Sequence, residues 1–296
     1  MQKITPFLWF DGKAEEAATF YTSLFKNSRI VKMNYWGEGT PFPKDQVMTG
    51  VFELDGFQFY AFDAGPQFKF NPAISFFVVC ETKEETGKLW QQLSEGGTVL
   101  MALDKYDWSE AYGWVQDRFG ISWQISLGKI SDAGQKITPA LLFTGGSHGK
   151  AEEAVKLYTS LFDNSSINGI LKYAAGENEP EGTVKHAQFK LSGETFMVMD
   201  SSYPHQFQFN EAISFFVSAK TQDEIDFYWN KLTADGGEES MCGWLKDKFG
   251  VSWQIIPPVL MELMSSKDKV KAGKAMQAMM KMKKIIIADL ENATKE

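Results

Sequence analysis

The sequence predicts an α+β protein: four βαβββ modules in two tandem pairs, with a helix appended at the C-terminus. Three repeated stretches carry this reading. GKAEEAATFYTSLFKNS, residues 12–28, returns as GKAEEAVKLYTSLFDNS, residues 149–165. FNPAISFFV at 70–78 returns as FNEAISFFV at 209–217, and WVQDRFGISWQI from Trp114 returns as WLKDKFGVSWQI from Trp244. Ile4-Thr5-Pro6 likewise returns as Ile137-Thr138-Pro139. Matches that keep one order along most of the chain mean a duplicated domain, and the period is far too long for a solenoid unit. The polar, Gly-containing stretch LGKISDAGQK, residues 127–136, marks the boundary. It gives a first domain at 1–130, a second at 131–258 and a tail at 259–296.

Each element follows from period and punctuation. Residues 4–10 are a short apolar, aromatic run suited to a strand. In the helix that follows, Ala14, Ala17, Ala18, Tyr21, Leu24 and Phe25 share one face, and Glu15 and Glu16 sit in the first turn where the helix dipole favours anions. Ala151, Ala154, Val155, Tyr158, Leu161 and Phe162 repeat that face. Strands are predicted near 29–36, 47–54 and 57–62, the last two joined by the hairpin turn Asp55-Gly56. A second module starts with a strand at 74–80. Thr82 and Glu85 then form a capping box for a helix with Leu89, Trp90 and Leu93 inward, stopped by Gly96-Gly97. Thr221 and Glu224 repeat the box for Trp229 and Leu232, stopped by Gly236-Gly237. Strands near 98–103, 108–117 and 121–127 complete the module. In the tail, Ser265 to Asp268 reads as a capping box for a helix reaching about Ala293. Met276, Met279, Met280, Lys283, Ile286, Ile287 and Leu290 share its face and are expected to dock on the protein itself or on a second copy.

Composition narrows the function classes. A chain of 296 residues, 44% hydrophobic and 14% aromatic, has the length and composition of about two globular domains. A net charge of -8 argues against a nucleic-acid partner, which calls for a concentrated basic face. No apolar run reaches membrane-spanning length, and no signal-peptide core precedes the first strand, so a cytoplasmic location and no membrane partner are expected. Cys80 and Cys242 stand in unlike contexts, which suggests neither a disulfide framework nor a CxxC site.

Paired βαβββ modules resemble the vicinal oxygen chelate superfamily, which includes glyoxalase I, extradiol dioxygenases and bleomycin-resistance proteins. ITPFLWFDGKAEEAATFY, GWLKDKFGVSWQIIP and AMMKMKKIIIADLENA look like its PhnB-like branch, often labelled a demethylubiquinone methyltransferase. The resemblance spans both copies and the tail. It implies two glyoxalase-like domains, each module pair curling its sheets around a shared cavity. The sequence holds no Gly-rich βαβ fingerprint for a nucleotide cofactor, which speaks against the methyltransferase label. Catalytic members hold a divalent metal on strand positions that fall here at Pro6, Ser75 and Gln124, and at Pro139, Ser214 and Gln254. Proline offers no side-chain ligand, and Ser and Gln are weak neutral ones. The three histidines, His148, His186 and His205, lie elsewhere. No metal and no cofactor are expected.

Candidate ligand-pocket residues come from matched positions in the two copies. Gln124 and Gln254, in matching WQI contexts, read either as cavity-lining amides or as structural hydrogen-bond partners. Asp63 and Asp200 end matching strands and read as general bases or as turn caps. Ser75 and Ser214 read as nucleophiles or as small packing residues. Trp36 and Tyr173 precede loops and could stack on a flat or cationic ligand or pack on their own sheet. Trp9, Trp90, Trp123, Trp229 and Trp253 are assigned to the helix–sheet core. Asp117-Arg118 and Asp247-Lys248 are read as solvated turn charges. Two functions follow: a small-molecule-binding protein without the usual metal ligands, or a superfamily enzyme acting as isomerase, lyase or transferase on a small metabolite, through cavity amides and carboxylates or a nonstandard metal site. Duplication adds the expectation of an intramolecular pseudo-dimer that needs no second chain.

Overall fold

The computed structural model describes residues 2–37 and 42–295, so part of the loop GEGTPFPKDQ lies outside the described residues. The first module is β1 (Ile4–Phe10), α1 (Ala14–Leu24), β2 (Arg29–Tyr35), β3 (Val47–Leu54) and β4 (Phe57–Asp63). The second is β5 (Ile74–Cys80), α2 (Lys83–Ser94), β6 (Thr98–Tyr106), β7 (Ser109–Gln116) and β8 (Ser122–Leu127). A helical turn, α3 (Ile130–Ala133), occupies the boundary stretch. The third module is β9 (Ile137–Phe143), α4 (Ala151–Leu161), β10 (Ser166–Lys172), β11 (Val184–Leu191) and β12 (Glu194–Asp200). The fourth is β13 (Ile213–Ser218), α5 (Gln222–Leu232), β14 (Glu238–Glu239), β15 (Trp244–Lys246) and β16 (Ser252–Ile256). Three short helices end the chain: α6 (Pro258–Met264), α7 (Lys269–Met279) and α8 (Ile287–Ala293).

The expected α+β class and the four-module order are both present. In every module the first strand runs parallel to the last, as β1 with β4, β5 with β8, β9 with β12 and β13 with β16. The remaining strand pairs within the modules are antiparallel. The local signals act as predicted. Asp55 and Gly56 both take positive φ, which matches the right-handed twist of the flanking strands. Thr82 Oγ1 accepts from the Glu85 N–H at 3.1 Å, and Thr221 Oγ1 from the Glu224 N–H at 3.2 Å. Ala14, Ala17, Ala18 and Tyr21 are buried together on one face of α1.

The chain forms two compact units, one of residues 6–213 and one of residues 1–5 with 214–296. In the first, eight strands join in the order β10-β11-β12-β9-β5-β8-β7-β6. This sheet crosses the copy boundary: its centre is the antiparallel pair β5 and β9, with Ser75 opposite Ala140 and Phe76 opposite Pro139. The repeated FN loops clasp one another with matched bonds. Asn71 Nδ2 donates to the Gln208 carbonyl at 3.0 Å, and Asn210 Nδ2 to the Lys69 carbonyl at 2.9 Å. The Trp9 N–H donates to Ala212 O and the Leu142 N–H to Ala73 O. Sequence identity between the copies is thus expressed as paired geometry. The boundary stretch is more than a connector, because Ala133 packs with Val79, Ala140 and Met197, with Ile130 and Phe77 against them.

The second unit differs from the single tail helix predicted. Phe70 to Trp114 spans 44 positions but Phe209 to Trp244 only 35, so the long β6–β7 hairpin shrinks to the short β14 and β15. The chain between α7 and α8 covers the strand end this leaves. The Cys242 and Gly243 N–H groups donate to the Met282 and Lys283 carbonyls, both at 2.7 Å. Gln222 donates to Ile285 O at 3.2 Å and accepts from the Ile287 N–H at 3.0 Å. Lys284 pairs with Asp226 and Lys283 with Glu239. Backbone groups of residues 282–283 are used across the strand end, so the predicted helix breaks there. Ala275, Ile285 and Leu290 are the buried anchors, whereas Met280, assigned to the docking face, is exposed. Asp268, predicted to close a capping box, is itself the cap of α7, accepting from Val270 and Lys271. Gln222→Ala is expected to cost about 1 kcal/mol and to raise hydrogen exchange selectively at 282–287, while residue 124 keeps its protection.

Candidate ligand site

Strand alternation divides the β8 side chains. Trp123 and Ile125 are buried on the helix side, where the Trp123 ring lies 5.3 Å from that of Tyr21 and 5.4 Å from that of Phe76. Ser122, Gln124 and Ser126 point to the opposite face. There the Tyr112 hydroxyl donates to Gln124 Oε1 at 2.7 Å, and Gln124 Nε2 donates to Ser75 Oγ at 2.8 Å. Ser75 Oγ in turn faces the Ala140 carbonyl at 3.4 Å. The donors run one way, from Tyr112 through Gln124 to Ser75, and this order sets which end of the amide is oxygen. Trp114 Nε1 donates to Ser122 Oγ at 2.7 Å, and Ser109 and Ser126 hydroxyls meet at 3.1 Å. Beside this strip the hairpin stacks Tyr106 on Trp108 at 5.0 Å, with the Tyr112 ring edge-on to both. Trp108 is 65% exposed.

The strip is built to donate. Burial pushes the Tyr112 phenol far above its ordinary range, so it stays protonated at any physiological pH. The Gln124 amide carries a second N–H beyond the one given to Ser75. Neither an amide nor a hydroxyl held by it is a base, and among the described residues no imidazole or carboxylate bonds to Ser75. The second copy keeps only half of the chain: Gln254 Nε2 donates to Ser214 Oγ at 2.9 Å. Cys242 stands two residues before Trp244, where Tyr112 stands before Trp114. Its φ of 61° takes it out of strand conformation, and burial raises its thiol.

The other candidates lie away from this strip. Asp63 Oδ1 accepts from the Lys13 and Ala14 N–H groups at 2.8 and 3.1 Å, and Oδ2 from Val47 at 3.0 Å. Asp200 repeats the pattern with Gly149, Ala151 and Val184. Both carboxylates tie a helix start to a strand start in their own module, with both oxygens turned to backbone N–H groups. Trp36 Nε1 donates to the Asp63 carbonyl at 2.9 Å, and its ring lies 4.8 Å from Phe42. Tyr173 lies beneath Lys185, whose ammonium is 5.4 Å from the ring centre.

Three sequence readings are corrected. Pro139 sits opposite Phe76 and so shares its helix-side face; the β9 residue beside Ser75 is Ala140. Trp9, assigned to the helix–sheet core, is half-buried on the other face, edge-on to Phe62 and Phe68 at 4.8 Å each. Asp117 and Asp247 are not solvated. Asp117 Oδ1 accepts from the Phe119 and Ile121 N–H groups, and Oδ2 from Tyr21 at 2.7 Å and Trp123 Nε1 at 2.8 Å. Asp247 does the same for Phe249, Val251 and Trp253. Among the described residues no three His, Cys, Asp or Glu side chains converge as a metal-binding group. The neutral donors of the strip do not fit the divalent ion that the superfamily resemblance implies.

Comparison with known proteins agrees with this architecture. Residues 2–126 and 135–256 match the family described as 3-demethylubiquinone-9 3-methyltransferase. The chain belongs to that family. A putative 3-demethylubiquinone-9 3-methyltransferase of Bacillus cereus, the PhnB protein, is 43% identical, with 43% of this chain covering all of that one at a TM-score of 0.42. Protein YjdN of Escherichia coli (strain K12) is 25% identical over 141 residues, which is 43% of this chain and 95% of YjdN. Each of these relatives is therefore matched almost whole by less than half of the chain. Glyoxalase I from Zea mays is 9% identical over 90% of this chain and 98% of its own, at a TM-score of 0.56, a likeness of fold.

Proposed function

We propose that this member of the 3-demethylubiquinone-9 3-methyltransferase family binds a small molecule over the Tyr112–Gln124–Ser75 strip and orients it by hydrogen bonds rather than by a metal. The single observation that supports this reading is the one-way donor chain from Tyr112 through Gln124 to Ser75, with a spare Gln124 amide N–H, set beside the half-buried Tyr106 ring and the exposed Trp108 ring. A spare donor calls for an acceptor, and Tyr106 and Trp108 favour a flat ring. A cyclic ketone or quinone has both, and the family description names a ubiquinone precursor. In this reading the first copy, residues 1–130, supplies the strip, the second, 131–258, supplies Ala140 beside it, and 259–296 closes the other unit. The chain acts in the cytoplasm as a monomeric pseudo-dimer.

Titration calorimetry of the full chain with a short-chain ubiquinone analogue tests this. Binding is expected, weakened about tenfold in Tyr112→Phe, the equivalent of one hydrogen bond at about 1.4 kcal/mol, and lost in Gln124→Leu. Equal affinity in all three proteins would reject the strip as the site. Incubation of the analogue's demethylated form with S-adenosylmethionine is expected to yield no methylated product. Appearance of that product would replace binding with methyl transfer.

A further inference from the structure

We propose that a second groove in the same unit, over Trp9 and Arg118, binds a planar aromatic carboxylate. The groove encloses about 550 Å³ where the end of β1, the β4–β5 loop, residues 96–98 and the β7–β8 turn meet, a volume within the roughly 300–1,000 Å³ of small-molecule sites. None of the Gln124 strip lines it.

One wall is aromatic and already ordered. Trp9 Nε1 donates to the Gly65 carbonyl at 3.0 Å, which holds the indole, and Phe68 packs against it edge-on. Phe70 lies edge-on to Phe10 at 4.9 Å. Rings fixed before a ligand arrives lose little freedom on binding. The rim is cationic. The Arg118 guanidinium stacks 4.1 Å from the Phe20 ring centre and 4.9 Å from that of Phe119. Stacking orders the group yet leaves its edge N–H donors for a carboxylate, the geometry in which Arg binds bidentately. The Lys69 backbone is anchored through its carbonyl by Asn210. Among the described residues neither Arg118 nor Lys69 has a carboxylate partner.

The lining acids are mostly committed. Glu16 pairs with Lys13 at 2.8 Å, and Asp117 is buried with both carboxylate oxygens turned to four neutral donors, so Asp11, Lys69 and Arg118 are the exposed charges of the lining outside that pair. The aromatic wall and the ordered donor edge of Arg118, with Lys69 in the same lining, together select an aromatic anion over a neutral ring or a cation. The second copy has Leu142 at the Trp9 position and Gln208 at the Lys69 position, so the site belongs to the first copy alone.

Calorimetry of the full chain with naphthoate, naphthylmethylamine and inorganic phosphate tests the proposal. Naphthoate is expected to bind, with affinity falling as salt rises, and the amine and phosphate are not. Arg118→Gln should weaken naphthoate by about tenfold or more, Trp9→Leu likewise, and Lys69→Gln, at an exposed position, severalfold. Tyr112→Phe should leave it unchanged, which separates this groove from the strip. Equal binding of the amine, an unchanged affinity in both Arg118→Gln and Lys69→Gln, or a loss in Tyr112→Phe would each overturn it.

Discussion

Replacing Asp117 by alanine is expected to lower the unfolding free energy by about 4 kcal/mol, read by urea denaturation. Four donors converge on this carboxylate: the Tyr21 hydroxyl, Trp123 Nε1 and the Phe119 and Ile121 N–H groups. Tyr21 and Trp123 are about 1% exposed, so their polar atoms would find no water. Each stranded buried donor costs about 1–3 kcal/mol. Asp117→Asn is the sharper control. Its oxygen can still serve the two backbone donors, and Tyr21 can turn its hydroxyl to accept. The Trp123 N–H can only donate, and would meet an NH₂ group. A loss of about 2 kcal/mol follows.

The same pair of proteins reports on charge. Burial lifts the Asp117 carboxyl above the usual carboxylate range, against the pull of its hydrogen bonds. In the pH window between the unfolded value of about 3.9 and the raised folded value, the native state holds more protons than the unfolded state. Unfolding free energy contributed by this group therefore falls as pH rises through that window and is level above it. Asp117→Asn lacks the group and should lack that slope. Parallel stability curves for the two proteins would show that Asp117 titrates normally.

Gly97→Ala is expected to cost about 3 kcal/mol, at the upper end for overpacking. A Cβ there would stand 2.4 Å from the Gln116 carbonyl oxygen and 3.1 Å from Asp117 Cα. Both are backbone atoms of the strand end that carries Asp117, so no rotamer change relieves the contact. Gly87→Ala, inside α2 with nothing within 4 Å of its Cβ position, is the opposite case. It should stabilise by up to about 1 kcal/mol, the helix-propensity difference. Thermal melts of the two variants in opposite directions would confirm that contact, not the loss of glycine itself, decides the sign. If Gly97→Ala melts like the parent, the close approach at α2's end is not present in solution.

The elements were readable because each rests on neighbours in sequence. Thr82 with Glu85, Asp55 with Gly56 and the Ala14–Ala17–Ala18–Tyr21 stripe act within a few residues of themselves. Ser75 and Gln124 could be nominated for the same reason, since alternation around Trp123 shows which way Gln124 points. Tyr112 went unnoticed, although the aromatic spacing Tyr106, Trp108, Tyr112 in YDWSEAY was a usable sign. Asp117 was misread because a charged residue in a turn ordinarily faces water; its two side-chain partners come from α1 and β8. Trp9 and Pro139 were misplaced because aromatic and proline content does not state which face of a strand is which.

Duplication and module order were determined by the amino-acid sequence alone, because they depend on local periodicity and residue chemistry. Tertiary structure decided that the eight-stranded sheet joins the second and third modules through β5 and β9. It also decided that residues 282–283 of the tail cover the strand end left by a shortened hairpin, and that Tyr112 completes the Gln124 strip in one copy only. Those outcomes depend on which strand edges meet, and near-identical modules offer near-identical edges; only the assembled backbone distinguishes them.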